Sequence, residues 1–206
     1  MRLFHHLSLE GFSNTYVLAP DGPGAAIVID PGSMDAELLA IIEDHRFEPA
    51  AILLTRNERH HAGGVRTFQR IYDCPVFGRQ PPTDRQRSRE ITDTEEFRVA
   101  SFDVRAIQLP GSWIDGVMYL IAGALFPGPM FSAGLISELP QGYAKALLIE
   151  GLQSVLDDLP PETFVFPAYG PPTTIRAERR TNVELRTPPE KHIPKVQHEF
   201  APEVEL

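Results

Sequence analysis

Apolar and polar residues alternate from the first positions of the chain. Leu3, His5, Leu7 and Leu9 alternate with Arg2, His6 and Ser8, the period of a half-buried strand. A second strand is expected over 14–19 (NTYVLA) and a third over 25–30 (AAIVID), with turn residues at 21–24 (DGPG) between them. The third strand stops at Pro31-Gly32 and so delivers Asp30 to a loop. The apolar spacing then changes. Leu38, Leu39, Ile41 and Ile42 mark an amphipathic helix over 34–47, with Ser33 as N-cap and Asp35 and Glu37 at its positive end. A short buried strand follows over 50–55, then a helix over about 60–72 with Val65, Phe68 and Ile71 turned inward.

Residues 80–96 are polar, hold Arg85, Arg87 and Arg89, and read as an exposed loop or edge segment. Two alternating runs, 97–109 and 117–126, predict strands joined by a loop over 110–116, and 127–134 reads as irregular. A helix over 141–159 carries Leu147, Leu148, Leu152, Val155 and Leu156 and is stopped by Pro160-Pro161. A last strand over 163–166, the loop PAYGPP and a short helix over 175–182 complete an α/β alternation. From Glu184 onward Pro188, Pro189, Pro194 and Pro202 interrupt any period. The expected organisation is therefore a domain over 1–183 and an extended Pro-rich tail over 184–206, packed on the body or serving as a partner-binding arm.

Composition adds exclusions. A chain of 206 residues with 42% hydrophobic content can bury a core as one domain. The formal net charge of −9 argues against nucleic acid as the main partner, because phosphate binding needs a basic field. The single cysteine, Cys74, excludes an internal disulfide and any multi-thiolate zinc site; it reads as a small buried hydrophobe. The longest apolar run, 117–126, is too short for a bilayer, and the N-terminus does not read as a signal peptide. No membrane association and a cytoplasmic location are expected. Histidine stands out: there are 7, with adjacent pairs at His5-His6 and His60-His61, which invites a metal reading. His5 and His6 read as ordinary strand residues.

Several segments, in order, resemble the metallo-β-lactamase superfamily: Asn14-Thr15-Tyr16, Ile29-Asp30-Pro31-Gly32, Ile52-Leu53-Leu54-Thr55 with Gly63-Gly64, Leu109-Pro110-Gly111, Phe126-Pro127-Gly128 and Pro167-Ala168-Tyr169-Gly170. Arg179-Arg180-Thr181-Asn182 looks like the glyoxalase-II-like branch. The resemblance covers roughly residues 3 to 183. It implies a four-layer αβ/βα sandwich of two facing mixed sheets, with the site in loops along one sheet edge. In that family the loop after the Leu-Leu-Thr strand reads Thr-His-x-His-x-Asp-His-x-x-Gly. Here Arg56 and Glu58 stand at the first two histidines, His60 at the aspartate, and only His61 is retained. The later ligand positions fall on Ser112, Pro129 and Tyr169.

That substitution pattern has a chemical consequence. A guanidinium stays protonated and offers no lone pair, Ser112 is a poor replacement for imidazole, and Pro129 has no donor side chain. A two-metal hydrolase site is not expected, and no metal or cofactor is assigned. A single, weakly bound divalent metal at His60 and His61, with Tyr169 near, is the alternative, although tyrosine ligates well only once deprotonated. A metal-free reading gathers Arg56, Glu58, Arg59, His60, His61, Ser112 and Tyr169 around one cleft suited to a small carboxylate or phosphate. Against it stands an internal salt bridge of Arg56 with Glu58 or Asp30. A Ser112–His61–Glu58 triad has the right residue types but no nucleophile elbow. The expected function is that of a non-catalytic relative with a binding or assembly role, acting on a small anion or a protein partner through the tail or the Arg85–Arg89 loop. A hydrolase of altered chemistry is the alternative. Self-association is left open.

Overall fold

The computed structural model describes residues 1–82, 87–136 and 140–186. Three antiparallel strands, β1 (Arg2–Leu7), β2 (Asn14–Ala19) and β3 (Gly24–Ile29), open the first sheet. Helix α1 (Ala36–Asp44) then crosses over to β4 (Phe47–Leu53), which pairs parallel to β3. Two short helices, α2 (Arg59–Ala62) and α3 (Val65–Ile71), lead to β5 (Val76–Gly78) and β6 (Ser88–Glu90), both parallel to β4.

The second sheet starts with the hairpins β7 (Glu95–Val99) to β8 (Phe102–Ile107) and β9 (Met118–Ile121) to β10 (Ala124–Phe126). A small hairpin, β11 (Phe131–Ser132) and β12 (Leu135–Ile136), and helix α4 (Tyr143–Asp158) follow. Strands β13 (Phe164–Val165) and β14 (Thr173–Thr174) complete the second sheet, with β13 parallel to β10. Helices α5 (Ile175–Thr181) and α6 (Val183–Arg186) close the described chain. The order is β1-β2-β3-β4-β5-β6 in one sheet and β14-β13-β10-β9-β8-β7 in the other.

Three apolar layers show how the sheets stack. Tyr16, Leu18, Ile29, Leu53, Tyr119 and Phe126 lie in the core between the sheets. The alternate residues of the same strands, including Val17, Val28 and Ile52, face Leu38 and Ile42 of α1 and Phe68 of α3. Met118 and Leu125 face Leu148, Leu152 and Leu156 of α4. Period-two alternation thus feeds two cores from each sheet, giving helices, sheet, sheet, helices. This is the expected αβ/βα sandwich of mixed sheets.

Several boundaries differ from the sequence reading, each for a local reason. The N-cap of α1 is Asp35, not Ser33. Asp35 Oδ1 accepts from the Glu37 and Leu38 amides, while the Ser33 hydroxyl donates to Asp35 Oδ2. The helix ends at Asp44 because Arg46 takes a left-handed conformation (φ 55), and Phe47 already belongs to β4. Pro49 is accommodated where the β3–β4 register shifts, so the strand begins before the proline. Gly63-Gly64 splits the expected 60–72 helix in two, and Ile71 is exposed rather than inward.

Each alternating run over 97–109 and 117–126 is a hairpin instead of one strand. Ala100 turns the first (φ 51), and Ala122 (φ 49) with Gly123 (φ 78) turns the second. In the described residues, the 80–96 segment takes the edge form of its expectation, for β6 and β7 are edge strands of the two sheets. It contributes β6 and the start of β7, with Ile91 buried. Residues 127–134 include β11. The packed body also continues past 183. Leu185 of α6 is buried in the α4 layer, and Gln153 Nε2 donates to its carbonyl at 2.7 Å. Arg85 and residues 187–206 of the expected tail lie outside the described residues.

Candidate functional site

The loops after β3, β4, β8 and β13 gather at one sheet edge, where α/β folds carry their sites. Asp30 leaves β3 in a left-handed conformation (φ 50) that turns its carboxylate into this edge. Its Oδ1 accepts from the Thr55 amide at 2.8 Å and its Oδ2 from the Thr55 hydroxyl at 2.5 Å. The same Oδ2 lies 3.0 Å from His61 Nδ1. Asp30 is 2% exposed and His61 is wholly buried, so this is an interior pair whose lone pairs are taken up by the fold. With Nδ1 turned to Asp30, the other ring nitrogen, Nε2, faces the Tyr169 hydroxyl at 3.5 Å. His60 Nδ1 approaches the same hydroxyl at 3.4 Å.

The segments that carry the family resemblance hold these loops. Asn14 donates from Nδ2 to the carbonyls of Pro167 and Gly170, at 2.9 and 2.8 Å, and its amide donates to Ala168. Tyr16 donates its hydroxyl to the Pro167 carbonyl, and burial raises the pKa of that phenol. The Asn14-Thr15-Tyr16 strand therefore fixes the loop that presents Tyr169. Thr15 Oγ1 bonds the Asp30 carbonyl. Ser13 Oγ bonds the His60 carbonyl at 2.5 Å. Gly32 permits close packing here, because a Cβ at that position would overlap the His60 carbonyl oxygen.

The charged part of the loop is arranged differently. Arg56 Nη1 pairs with Glu58 at 3.1 Å, and Arg56 Nε lies 3.4 Å from Asp115 Oδ1. Its guanidinium carbon sits 4.4 Å over the Trp113 ring, a cation–π contact. Asp115 Oδ2 also accepts from the Asn57 amide at 2.9 Å. The internal salt bridge weighed from sequence is present with Glu58 and Asp115; Asp30 is committed to His61 and Thr55 instead.

The structure brings His60, His61 and Tyr169 together, and ties Arg56 to Glu58 beside Trp113. It does not bring Arg59 in. That side chain is 79% exposed and pairs outward with Glu10 at 2.5 Å. Ser112 donates to the Leu109 carbonyl at 2.7 Å, and no bond joins it to His61 or Glu58. The Ser112–His61–Glu58 triad is thus not assembled. Among the described residues, no group of three or more His, Cys, Asp or Glu side chains is placed to hold a metal ion. No described helix is long and apolar enough to cross a membrane.

Sequence reasoning missed Trp113 and Asp115 as partners of Arg56. Trp113 carried a signal, as the only tryptophan in the chain and in a loop next to a ligand position. Asp115 carried none, since a loop carboxylate two residues on is unremarkable in sequence.

No family model matches the chain. It is 32% identical over 165 residues to a hydroxyacylglutathione hydrolase of Erwinia tasmaniensis, covering 79% of this chain and 64% of the relative. It is 26% identical over 165 residues to the hydroxyacylglutathione hydrolase of Klebsiella pneumoniae, with the same coverage. The chain thus spans just under two thirds of the length of these curated relatives. Among solved structures it superposes on BLEG-1 B3 metallo-beta-lactamase with a TM-score of 0.80 and 23% identity, covering 90% of this chain and 100% of that one. It matches TTHA1623 in a di-iron-bound form with a TM-score of 0.72 and 26% identity, covering 87% of this chain and 98% of that one.

Proposed function

We propose that the chain is a metal-free member of the metallo-β-lactamase superfamily whose site binds a ligand rather than hydrolysing one. One observation carries this reading. Where a family member offers its first imidazole ligand, this chain holds Arg56, clamped by Glu58 and Asp115 and laid on Trp113. A guanidinium cannot ligate, and its charge repels a dication brought near. Pro129 has no donor at the bridging position, and the Ser112 hydroxyl is already engaged with Leu109. The donor set therefore does not fit two metals.

The test pairs elemental analysis of the purified full-length protein with an assay on S-lactoylglutathione, the thioester suggested by the hydroxyacylglutathione hydrolase relatives. Absence of stoichiometric zinc, iron or manganese and absence of enzyme-dependent hydrolysis are expected. Bound metal in whole equivalents together with ready thioester hydrolysis would reverse the reading.

A second reading is favoured by the Tyr169 hydroxyl, which two imidazoles approach while Asp30 holds one of them. A base oriented by a carboxylate and facing a hydroxyl is the arrangement of hydrolytic relays. On this reading the protein is a hydrolase of altered chemistry with Tyr169 at its centre. Hydrolysis of an activated ester that is lost in Tyr169→Phe and unaffected by chelator would favour it over the binding role.

A further inference from the structure

The first sheet contributes one more cation to the site edge. Arg79 follows Gly78, the last residue of β5, and β5 lies beside β4, which ends just before Thr55 and Arg56. The parallel register Leu53↔Phe77, with the Leu54 amide donating to the Phe77 carbonyl at 2.8 Å, puts Arg79 level with Thr55. Leu53 and Phe77 both face the space between the sheets. Thr55 and Arg79 follow these strands in the bends just past their carboxyl ends.

Arg79 is half-buried. Its Nε and Nη1 are buried with no hydrogen-bond partner, and no ion pair joins it to another described residue. Arg56 Nε, though near Asp115, is likewise buried without a hydrogen bond. Natural proteins pair buried guanidinium groups, because burying a cation without a partner is costly. Arg56 has its carboxylates. Among the described residues, Arg79 Nε and Nη1 are donors with no acceptor.

We propose that Arg79, just past the carboxyl end of β5 and next to β4, forms an anion-binding point, and that the ligand of this protein bears a carboxylate or phosphate group which that point receives. A planar, forked donor suits two oxygens of either group. The ion fills the unmet hydrogen bonds of Arg79. This deepens the binding role proposed above and rests on it.

Trp113 supplies the reporter. It is the only tryptophan in the chain and lies against Arg56. Its emission is followed while the full-length protein is titrated with inorganic phosphate and, separately, with succinate, against sodium chloride at matched ionic strength. A saturable change with phosphate, with succinate or with both is expected, and the two arms tell which group is preferred. Arg79→Gln should weaken that binding at least about tenfold, in line with loss of charge-assisted hydrogen bonds. Arg79→Lys should keep part of it, and Arg59→Gln, on an exposed side chain, should leave it unchanged.

Melting provides a second, independent reading. Without added anion, Arg79→Gln should melt no lower than the parent, because an unpaired buried charge has been removed. An internally paired arginine would give a lower melting temperature. No saturable signal with either anion, equal binding by Arg79→Gln, or a lowered anion-free melting temperature of that variant would each overturn the proposal. Metal content measured on the same sample separates the two failures. A metal-free protein indifferent to both anions defeats only the anion point, whereas a stoichiometric metal defeats the reading on which it rests.

Discussion

The segment from Thr55 to Gly64 divides into two halves that behave in opposite ways. In the second half, His61 is buried against Asp30, the His60 carbonyl accepts from Ser13, and the Gly64 amide donates to the Pro31 carbonyl at 2.8 Å. These anchors point into the fold. In the first half, Arg56 pairs sideways with Glu58 and Asp115, and Arg59 pairs with Glu10 on the exposed side. The difference teaches that the groups fixing this loop are separate from the groups facing the site. Residue types on the site face can change, even to a guanidinium, while the fold beneath keeps its form.

Substitutions among the residues that anchor the loop to the fold should therefore cost far more than those in its charged half. The largest effect is expected for Gly32→Ala, whose Cβ would overlap the His60 carbonyl oxygen and meet Ser13 Oγ at 2.7 Å. Backbone cannot move aside cheaply, so a loss of about 3–5 kcal/mol is expected in denaturant unfolding. Next comes Asp30→Ala, which strands the Thr55 amide, the Thr55 hydroxyl and His61 in the interior. A loss of about 2–4 kcal/mol is expected. Asp30→Asn should cost less, because asparagine tolerates the left-handed backbone and keeps one accepting oxygen. Arg56→Gln should cost about 1–2 kcal/mol and depend only in part on salt, since solvent screens Glu58 (41% exposed) but hardly Asp115 (12% exposed). If Arg56→Gln proved as damaging as Asp30→Ala, the division of the loop would fail.

A smaller effect sharpens the account at the neighbouring anchor of α1. Burial pushes the Asp35 carboxyl pKa up, but the Leu38 amide, the charge of His6 and the Ser33 hydroxyl outweigh it and hold the value below the usual carboxylate range. A carboxyl depressed in the folded state stabilises fully above its unfolded pKa, about 3.9. That contribution is lost as pH falls through the lower, folded value. Melting temperature against pH should thus show an acid limb that flattens in Asp35→Asn. The smallest effect concerns Cys74. Burial, then the charge of Asp73, pushes its thiol up to about 11. It should resist a thiol reagent at pH 8 in the folded protein and react once the chain is denatured.

Much of the fold was legible because strands and helices here carry clean periods. β2 and β3 read directly from NTYVLA and AAIVID, and α4 from its leucines. The boundaries that escaped were set by backbone features with no side-chain signature. Ala100 and Ala122 in left-handed turns hide two hairpins inside continuous alternation, and Pro49 hides the start of β4 behind a register shift. At the site, the residue types of Arg56, Ser112 and Pro129 told their chemistry from sequence alone. Which partners they take did not follow. Arg59 stands one residue from His60 yet points outward, because the first turn of α2 sends it to Glu10. Asp115 lies 58 residues from Asn57, and it comes there because the two sheets face each other, with the Val117 amide donating to the Thr55 carbonyl at 3.0 Å.

The most direct measurement is the melting temperature of the full-length protein after treatment with a strong chelator, and again after adding excess zinc. A ligand that binds only the folded state raises stability, and its removal lowers it. If the Thr55–Gly64 loop is held by Asp30, Ser13 and Pro31 and not by metals, both treatments leave the melting temperature unchanged. A drop of several degrees on chelation that zinc restores would contradict this and point to a metal-dependent protein.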